Sequence, residues 1–397
     1  MKSTLYAALF ALCLPLLATA DTIDELSRAI AQRHPLVDGH IDVPYRLEEQ
    51  WEDVTQATAG GDFDLPRARA GGLSAPFLSI YTPADSEATN ATALADQLID
   101  RVEALVGRAP KDFALARSAA DVRHAFEAGR IALLLGMENG APIAGDLAKL
   151  RHFHARGVRY ITLTHGKANH IADSSYDPVK TWNGLSPFGV ELVAEMNRLG
   201  VIVDIAHVSD AAFYEVLKVS KAPVIASHSS LRHFTPGLER NVDDDMLRAL
   251  AKNGGVLQIN FGSFFLTQKA RDWSDTFHKA EESFTALHGG KPTAEARKHF
   301  EAEYRVRFPY PYASVSDVAD HIDRAVEIGG IDHVGLGSDF DGVGDSLPVG
   351  LKDVSQYPNL IAELLRRKYS EAEIAKIMGG NALRVLEAVE KVAAASG

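Results

Sequence analysis

Eight short runs of apolar and β-branched residues punctuate this chain, at 37–43, 73–81, 131–138, 160–165, 201–207, 224–228, 255–261 and 333–339, and the stretches between them are polar with helical spacing. Near-continuous hydrophobicity of this kind marks strands covered on both faces, as in parallel sheets whose crossovers are helices. Eight such units is the number that closes a (β/α)8 TIM barrel, and an α/β barrel is the fold class expected. The helical stretches 144–156 and 189–199 each stop before a glycine, Gly157 and Gly200, suited to a C-terminal cap. A doubly wound open sheet fits less well, because no glycine-rich phosphate fingerprint follows the first run. Two connections are long, those before residue 131 and after residue 261. The second contains a charged stretch, 267–307, expected as extra helices over one mouth of the barrel, either a lid or a packing excursion.

The first twenty residues, MKSTLYAALFALCLPLLATA, combine Lys2, an apolar run from Leu5 to Leu17, and the small-residue exit Ala18-Thr19-Ala20. That is the pattern of a cleavable signal peptide, with Pro15 and the short run arguing against a retained membrane anchor. The expected organisation is a signal peptide over 1–20 and a single barrel domain over 21–397, in a periplasmic or secreted protein. The only cysteine, Cys13, lies inside the leader. Any metal in the mature chain must therefore be held by His, Asp and Glu, and no disulfide contributes. A net charge of −12 with scattered Lys and Arg argues against nucleic acid and anionic membrane as partners. No later apolar stretch is long enough to span a bilayer, so no stable membrane insertion is expected after cleavage.

The chemically able residues cluster at the C-terminal ends of the runs, where barrel enzymes build their active sites. His40 and Asp42, two apart on a strand, project to one face, which at the strand tip is the cavity. An imidazole and a carboxylate there can grip one cation. Glu138 follows a run of apolar residues, an expensive place for a carboxylate unless it is paired or bound to metal, and its two oxygens can bridge two ions. His207 and His228 end adjacent strands, so their rings can meet at a second cation, and the combined oxygen and nitrogen set suits zinc. His165 ends the fourth run. Asp339, at the tip of the eighth, is the better proton carrier of the pair Asp339 and Asp341, Asp341 being placed to support the following turn. Asp38 reads as a hydrogen-bonding support one layer deeper. The remaining histidines have no such placement, His170 being the least clear.

Six motifs in the same order resemble the membrane (renal) dipeptidase family, peptidase family M19: Asp38-Gly39-His40-Ile41-Asp42, Gly136-Met137-Glu138-Asn139-Gly140, Leu163-Thr164-His165, Ala206-His207-Val208-Ser209, Ser227-His228-Ser229-Ser230, and Gly337-Ser338-Asp339-Phe340-Asp341-Gly342. The resemblance runs from about Val37 to the end of the chain. It implies an amidohydrolase-like barrel of the metal-dependent hydrolase type, with insertions over the C-terminal mouth and two Zn2+ per subunit. One ion would sit on His40 and Asp42 and the other on His207 and His228, with Glu138 bridging. It further implies that His165 contacts the substrate carbonyl, that Arg240 takes the substrate carboxylate, with Arg232 its nearest competitor, and that Asp339 moves the proton. Some mammalian members are lipid-anchored, disulfide-linked dimers; this chain has neither the tail signal nor a mature cysteine, and a homodimer would have to be non-covalent.

The expected activity is hydrolysis of dipeptides with a free C-terminal carboxylate by a hydroxide formed between the two metals. The alternatives are an N-acyl-amino-acid deacylase or a lactonase on the same scaffold, and, in another class, a non-catalytic binding protein that has kept the fold.

Overall fold

A computed structural model describes residues 20–396; residues 1–19 of the expected leader lie outside the described residues. Among those described, no helix is long and apolar enough to cross a membrane. The strands are β1 (Leu36–Ile41), β2 (Leu73–Tyr81), β3 (Phe113–Leu115), β4 (Ile131–Glu138), β5 (Val158–Thr162), β6 (Ile202–Asp204), β7 (Ile225–Ala226), β8 (Val256–Ile259) and β9 (Val334–Leu336). Neighbours run β2-β1-β9-β8-β7-β6-β5-β4, and β2 also pairs with β4, closing eight parallel strands into a barrel. β3 is additional. It pairs with the first half of β4, Phe113 opposite Ile131, before β2 takes over the second half, Phe77 opposite Leu134. At three residues it is too short for any alternation to betray it.

Each of the eight expected runs holds a barrel strand, but several strands stop short of the polar residue expected at their tip. β6 ends at Asp204, β7 at Ala226 and β9 at Leu336. Part of the reason is backbone conformation: His207 (φ 66°) and Asp339 (φ 64°) are left-handed, which no strand tolerates. His165, His207, His228 and Asp339 thus lie just beyond the strands, at the start of the loops that follow them, while His40 and Glu138 stay on β1 and β4. The expected helices begin elsewhere for equally local reasons. Asp146 caps Leu147–Arg156, after a left-handed Ala144, and Ser186 caps Pro187–Leu199. Both end on Gly157 and Gly200, as their sequence predicts.

β4 shows how the barrel is filled. Leu133, Leu135 and Met137 face the helical layer, while Ala132 and Leu134 join an inner cluster with Val37, Phe77, Tyr160, Ile202, Ile225 and Val256. Alternation then turns Gly136 and Glu138 inward. Gly136 makes room for the Tyr160 ring: a Cβ there would lie 2.0 Å from Cζ of the tyrosine. Leu383, Val385, Leu386 and Val389 of the helix Asn381–Ala394 join the same cluster and seal the floor of the barrel. The charged excursion forms two helices, Gln268–Leu287 and Ala294–Arg307, packed through Trp273, Phe277, Phe284, Phe300 and Tyr304. It packs largely on itself, yet His278 from its first helix reaches the wall of the cavity at the barrel mouth.

The loop after β7 is pinned by His321, fully buried on the helix Val315–Gly329. Its Nδ1 accepts from Leu231 N (3.1 Å) and its Nε2 donates to Leu266 O (3.0 Å), so the ring is neutral. Burial pushes its pKa down from 6.5 to about 4. Between those values the unfolded chain binds a proton that the folded chain refuses, so this contribution is intact above pH 6.5 and is lost as the pH falls toward 4. The expected loss is roughly 3 kcal/mol. Urea-unfolding midpoints should therefore fall less steeply with acid in His321→Asn than in the wild type; parallel pH profiles would contradict this.

Candidate metal centre

β1 brings His40 and Asp42 together, though not by strand parity. The β1–β2 register shifts between Asp38 and Ile41, and Asp42 already occupies the N-cap position of the helix Val43–Glu49. Its carboxylate caps nothing and turns to His40, with Oδ2 3.3 Å from Nε2. Asp38 supports this geometry from below. It accepts from His40 N (2.9 Å), Ser338 N (3.0 Å) and the Tyr357 hydroxyl (2.5 Å), tying β1 to the loop after β9. Burial pushes the Asp38 carboxyl up to about 6, against those hydrogen bonds.

Glu138 ends β4 at the centre of the mouth. Oε2 lies 3.2 Å from His40 Nε2 and accepts from Ser79 Oγ (3.3 Å). Oε1 lies 3.1 Å from His207 Nε2, 3.3 Å from His228 Nε2 and 3.7 Å from His165 Nε2. Burial raises the pKa of this carboxyl, but the imidazoles of His40, His165, His207 and His228 outweigh it and hold Glu138 well below the usual range. The same field acts in reverse on His40: burial depresses it, and Tyr160, Glu138 and Asp42 hold it well above its ordinary value. His207 and His228 are pushed well below theirs by burial, then by Arg240 and His40 respectively, and so stay neutral. His165 is lowered by burial too.

Asp339 accepts from Asn260 Nδ2 (2.8 Å), and burial pushes its carboxyl up to about 7. Asp341 stands back: it exchanges hydrogen bonds with Asp62, Oδ1 accepting from Asp62 N (2.6 Å) and its own N donating to Oδ2 (2.8 Å), and supports the turn as its sequence position suggests. Arg240 is buried beside the histidines, donating to Ser229 Oγ (2.6 Å) and His228 O (2.7 Å), with Nη2 3.1 Å from His207 Nε2. Arg232, its competitor, is committed to Asp210 through two hydrogen bonds (2.6 and 2.8 Å). A cavity of about 550 Å³ opens above these groups, walled by Tyr45, Tyr81, Tyr176, Phe264, Phe265 and His278 among others.

The residues fit metal ions. His40 Nε2 is buried without a hydrogen bond although two carboxylate oxygens stand near it. The Nε2 atoms of His207 and His228 face each other at 2.9 Å with Glu138 Oε1 beside both. Ligand-capable atoms that converge in this way suit a cation among them, and a nitrogen and oxygen set without sulfur is one that zinc accepts. His40, Asp42 and Glu138 bring ligand-capable atoms within 4.8 Å of one another, as do Glu138, His165 and His207, and His40, His228 and Asp339. His165 therefore stands close enough to share a ligand set with Glu138.

The family profile described as membrane dipeptidase (peptidase family M19) matches residues 25–397. The chain belongs to that family. Among curated proteins, the dipeptidase aclJ of Aspergillus oryzae is 36% identical over 379 residues, 92% of this chain and 80% of its own. The probable dipeptidase PvdM of Pseudomonas aeruginosa superposes with a TM-score of 0.81 at 30% identity, covering 94% of this chain and 99% of that one. A metallopeptidase of Rhodobacter sphaeroides, liganded with a phosphinate mimic of the dipeptide L-Ala-D-Ala, superposes with a TM-score of 0.73 at 26% identity, over 90% of this chain and 99% of its own. As a member of the membrane dipeptidase family the protein is a hydrolase of the metallopeptidase class.

All eight expected site residues converge: six gather around Glu138, and Arg240 backs His207 and His228. Reading the sequence missed Asn260, Tyr176 and His278. Asn260 follows the polar Gln258 near the end of β8 and carried a weak signal; the other two lie in loop and insertion, where no periodicity announces a cavity wall. If Glu138 links both halves of the centre, Glu138→Gln should lower the affinity for added Zn2+ at both positions by about 10-fold or more, measured by competition with a chromophoric chelator. Wild-type uptake by this variant would contradict the assignment.

Proposed function

We propose that the protein is a zinc-dependent dipeptidase that binds two Zn2+ and hydrolyses dipeptides with a free C-terminal carboxylate. One observation carries the reading: a single buried carboxylate, Glu138, turns one oxygen to His40 and the other to His207 and His228. His40, Asp42 and Glu138 would hold one ion, and Glu138, His207 and His228 the other. Bound there, divalent cations supply Lewis acidity that polarises a carbonyl and acidifies water.

The protein's own groups do the rest. Asp339, raised to about 7 by burial, is suited to take a proton from the attacking water near neutrality and deliver it to the leaving amine. Asn260 holds one oxygen of that carboxylate and fixes its aim. His165, on the cavity wall and neutral, donates a hydrogen bond to the carbonyl oxygen as charge develops on it. Arg240 provides positive charge next to the His207 side of the site and favours a substrate carboxylate there. The dipeptide mimic on the Rhodobacter sphaeroides relative supports a substrate of this size. We propose also that residues 1–20 direct export to the periplasm or medium, where the mature chain would begin at Asp21; N-terminal sequencing of the exported protein tests this.

The zinc-loaded protein should turn over dipeptides drawn from a library with L and D residues at each position, and should fail on their C-terminal amides. Asp339→Asn should keep its metal and lose about 10²–10⁴-fold in kcat. Steady-state rates on dipeptides set beside N-acyl amino acids and lactones check the class: turnover of either of the latter with none of any dipeptide would replace this reading with a deacylase or a lactonase.

A further inference from the structure

The floor beneath the metal centre is polar where a barrel interior is ordinarily apolar, and its hydrogen bonds run in one direction only. Tyr160, on β5, reaches across to β1. Its hydroxyl lies 3.1 Å from Gly39 O and 2.8 Å from His40 Nδ1. A carbonyl can only accept, so the hydroxyl donates to Gly39 and must accept from His40. In the neutral form that a liganding imidazole must take, the proton is thereby fixed on Nδ1, and Nε2 turns its lone pair toward Asp42 and Glu138.

A second arrangement does the same for His228. Asp204 Oδ2 accepts from the hydroxyls of Thr162 (2.5 Å) and Ser227 (2.6 Å), and Oδ1 accepts from Ser227 N (2.8 Å) and Ala206 N (3.0 Å). With its one proton given to Asp204, the Ser227 hydroxyl can only accept from His228 Nδ1, 2.8 Å away. His228 Nε2 is left bare toward Glu138 and His207. The chain runs sideways through the ends of β5, β6 and β7, and shares no atom with the Tyr160 contact. His207 has no counterpart, its Nδ1 being buried without a partner.

We propose that the two ion positions are set independently from below: Tyr160 is a positioning residue for the ion on His40, and the Asp204–Ser227 pair is the positioning device for the ion on His228. The inference rests on the binuclear reading above. Partners that orient a liganding imidazole are worth about 10–100-fold in metal affinity. Because the two devices are separate, removing one should weaken one ion and spare the other.

The experiment is stepwise Zn2+ titration of chelator-stripped protein against a chromophoric chelator, with Co2+ electronic spectra as a second readout that needs no turnover. Wild type should show two binding steps. Ser227→Ala should weaken one step by about 10–100-fold, the step that His228→Ala abolishes, and Ser227→Thr should restore it. Tyr160→Phe should weaken the other, the step that His40→Ala abolishes. Both steps at wild-type affinity in either single variant, or both falling together, would overturn the inference. A wild-type protein that takes up one ion would instead overturn the binuclear reading. If S227A does not fold, Tyr160→Phe is judged alone by the same criteria.

Discussion

A carboxylate buried at the centre of the barrel mouth organises everything above and below it. Glu138 has left water for a position where four imidazoles approach within 3.7 Å, and an isolated charge there would cost several kcal/mol. The protein answers with groups that cannot satisfy one another. His40 finds two carboxylates yet forms no hydrogen bond to them through Nε2, and His207 and His228 point nitrogens at each other. Such an arrangement suits a receptacle for positive charge. Metal-assisted attack of water on a peptide is the reaction proposed for this receptacle, whose cations would activate both reactants.

The barrel supplies rigidity from below and shape from above. Beneath the centre, Tyr160 occupies space that Gly136 leaves open, and Asp38 clamps β1 to the loop after β9. The C-terminal helix then closes the floor with Leu383, Val385, Leu386 and Val389. Above it, loops of very different length build the walls. The insertion after β8 delivers His278 to the cavity, and the loop after β5 delivers Tyr176. Chemistry is thus carried on strand ends, and selection on loops, the division expected of a barrel enzyme.

The barrel was legible because buried parallel strands leave unbroken apolar runs, and the centre because charged or polar residues stood at their ends. What the residues could not convey was backbone geometry. His40 and Asp42 read as neighbours on one strand face, but a register shift and a helix start bring them together. His207 and Asp339 read as strand tips, but left-handed turns place them just beyond. Asp204 and Ser227 sit beside site residues in sequence and passed unremarked, since a hydrogen-bond chain linking three strands has no local signature. Arg240 was nameable only through the family likeness; the structure adds that Arg232 is already paired with Asp210.

The central claim is that Glu138 stands between two metal ions. Crystals of the zinc-loaded protein, with anomalous diffraction recorded on both sides of the zinc edge, test it most directly. The account predicts two anomalous peaks about 3.5–4 Å apart, one against His40, Asp42 and Glu138 and the other against Glu138, His207 and His228. A single peak, or two peaks that Glu138 does not touch, would contradict it.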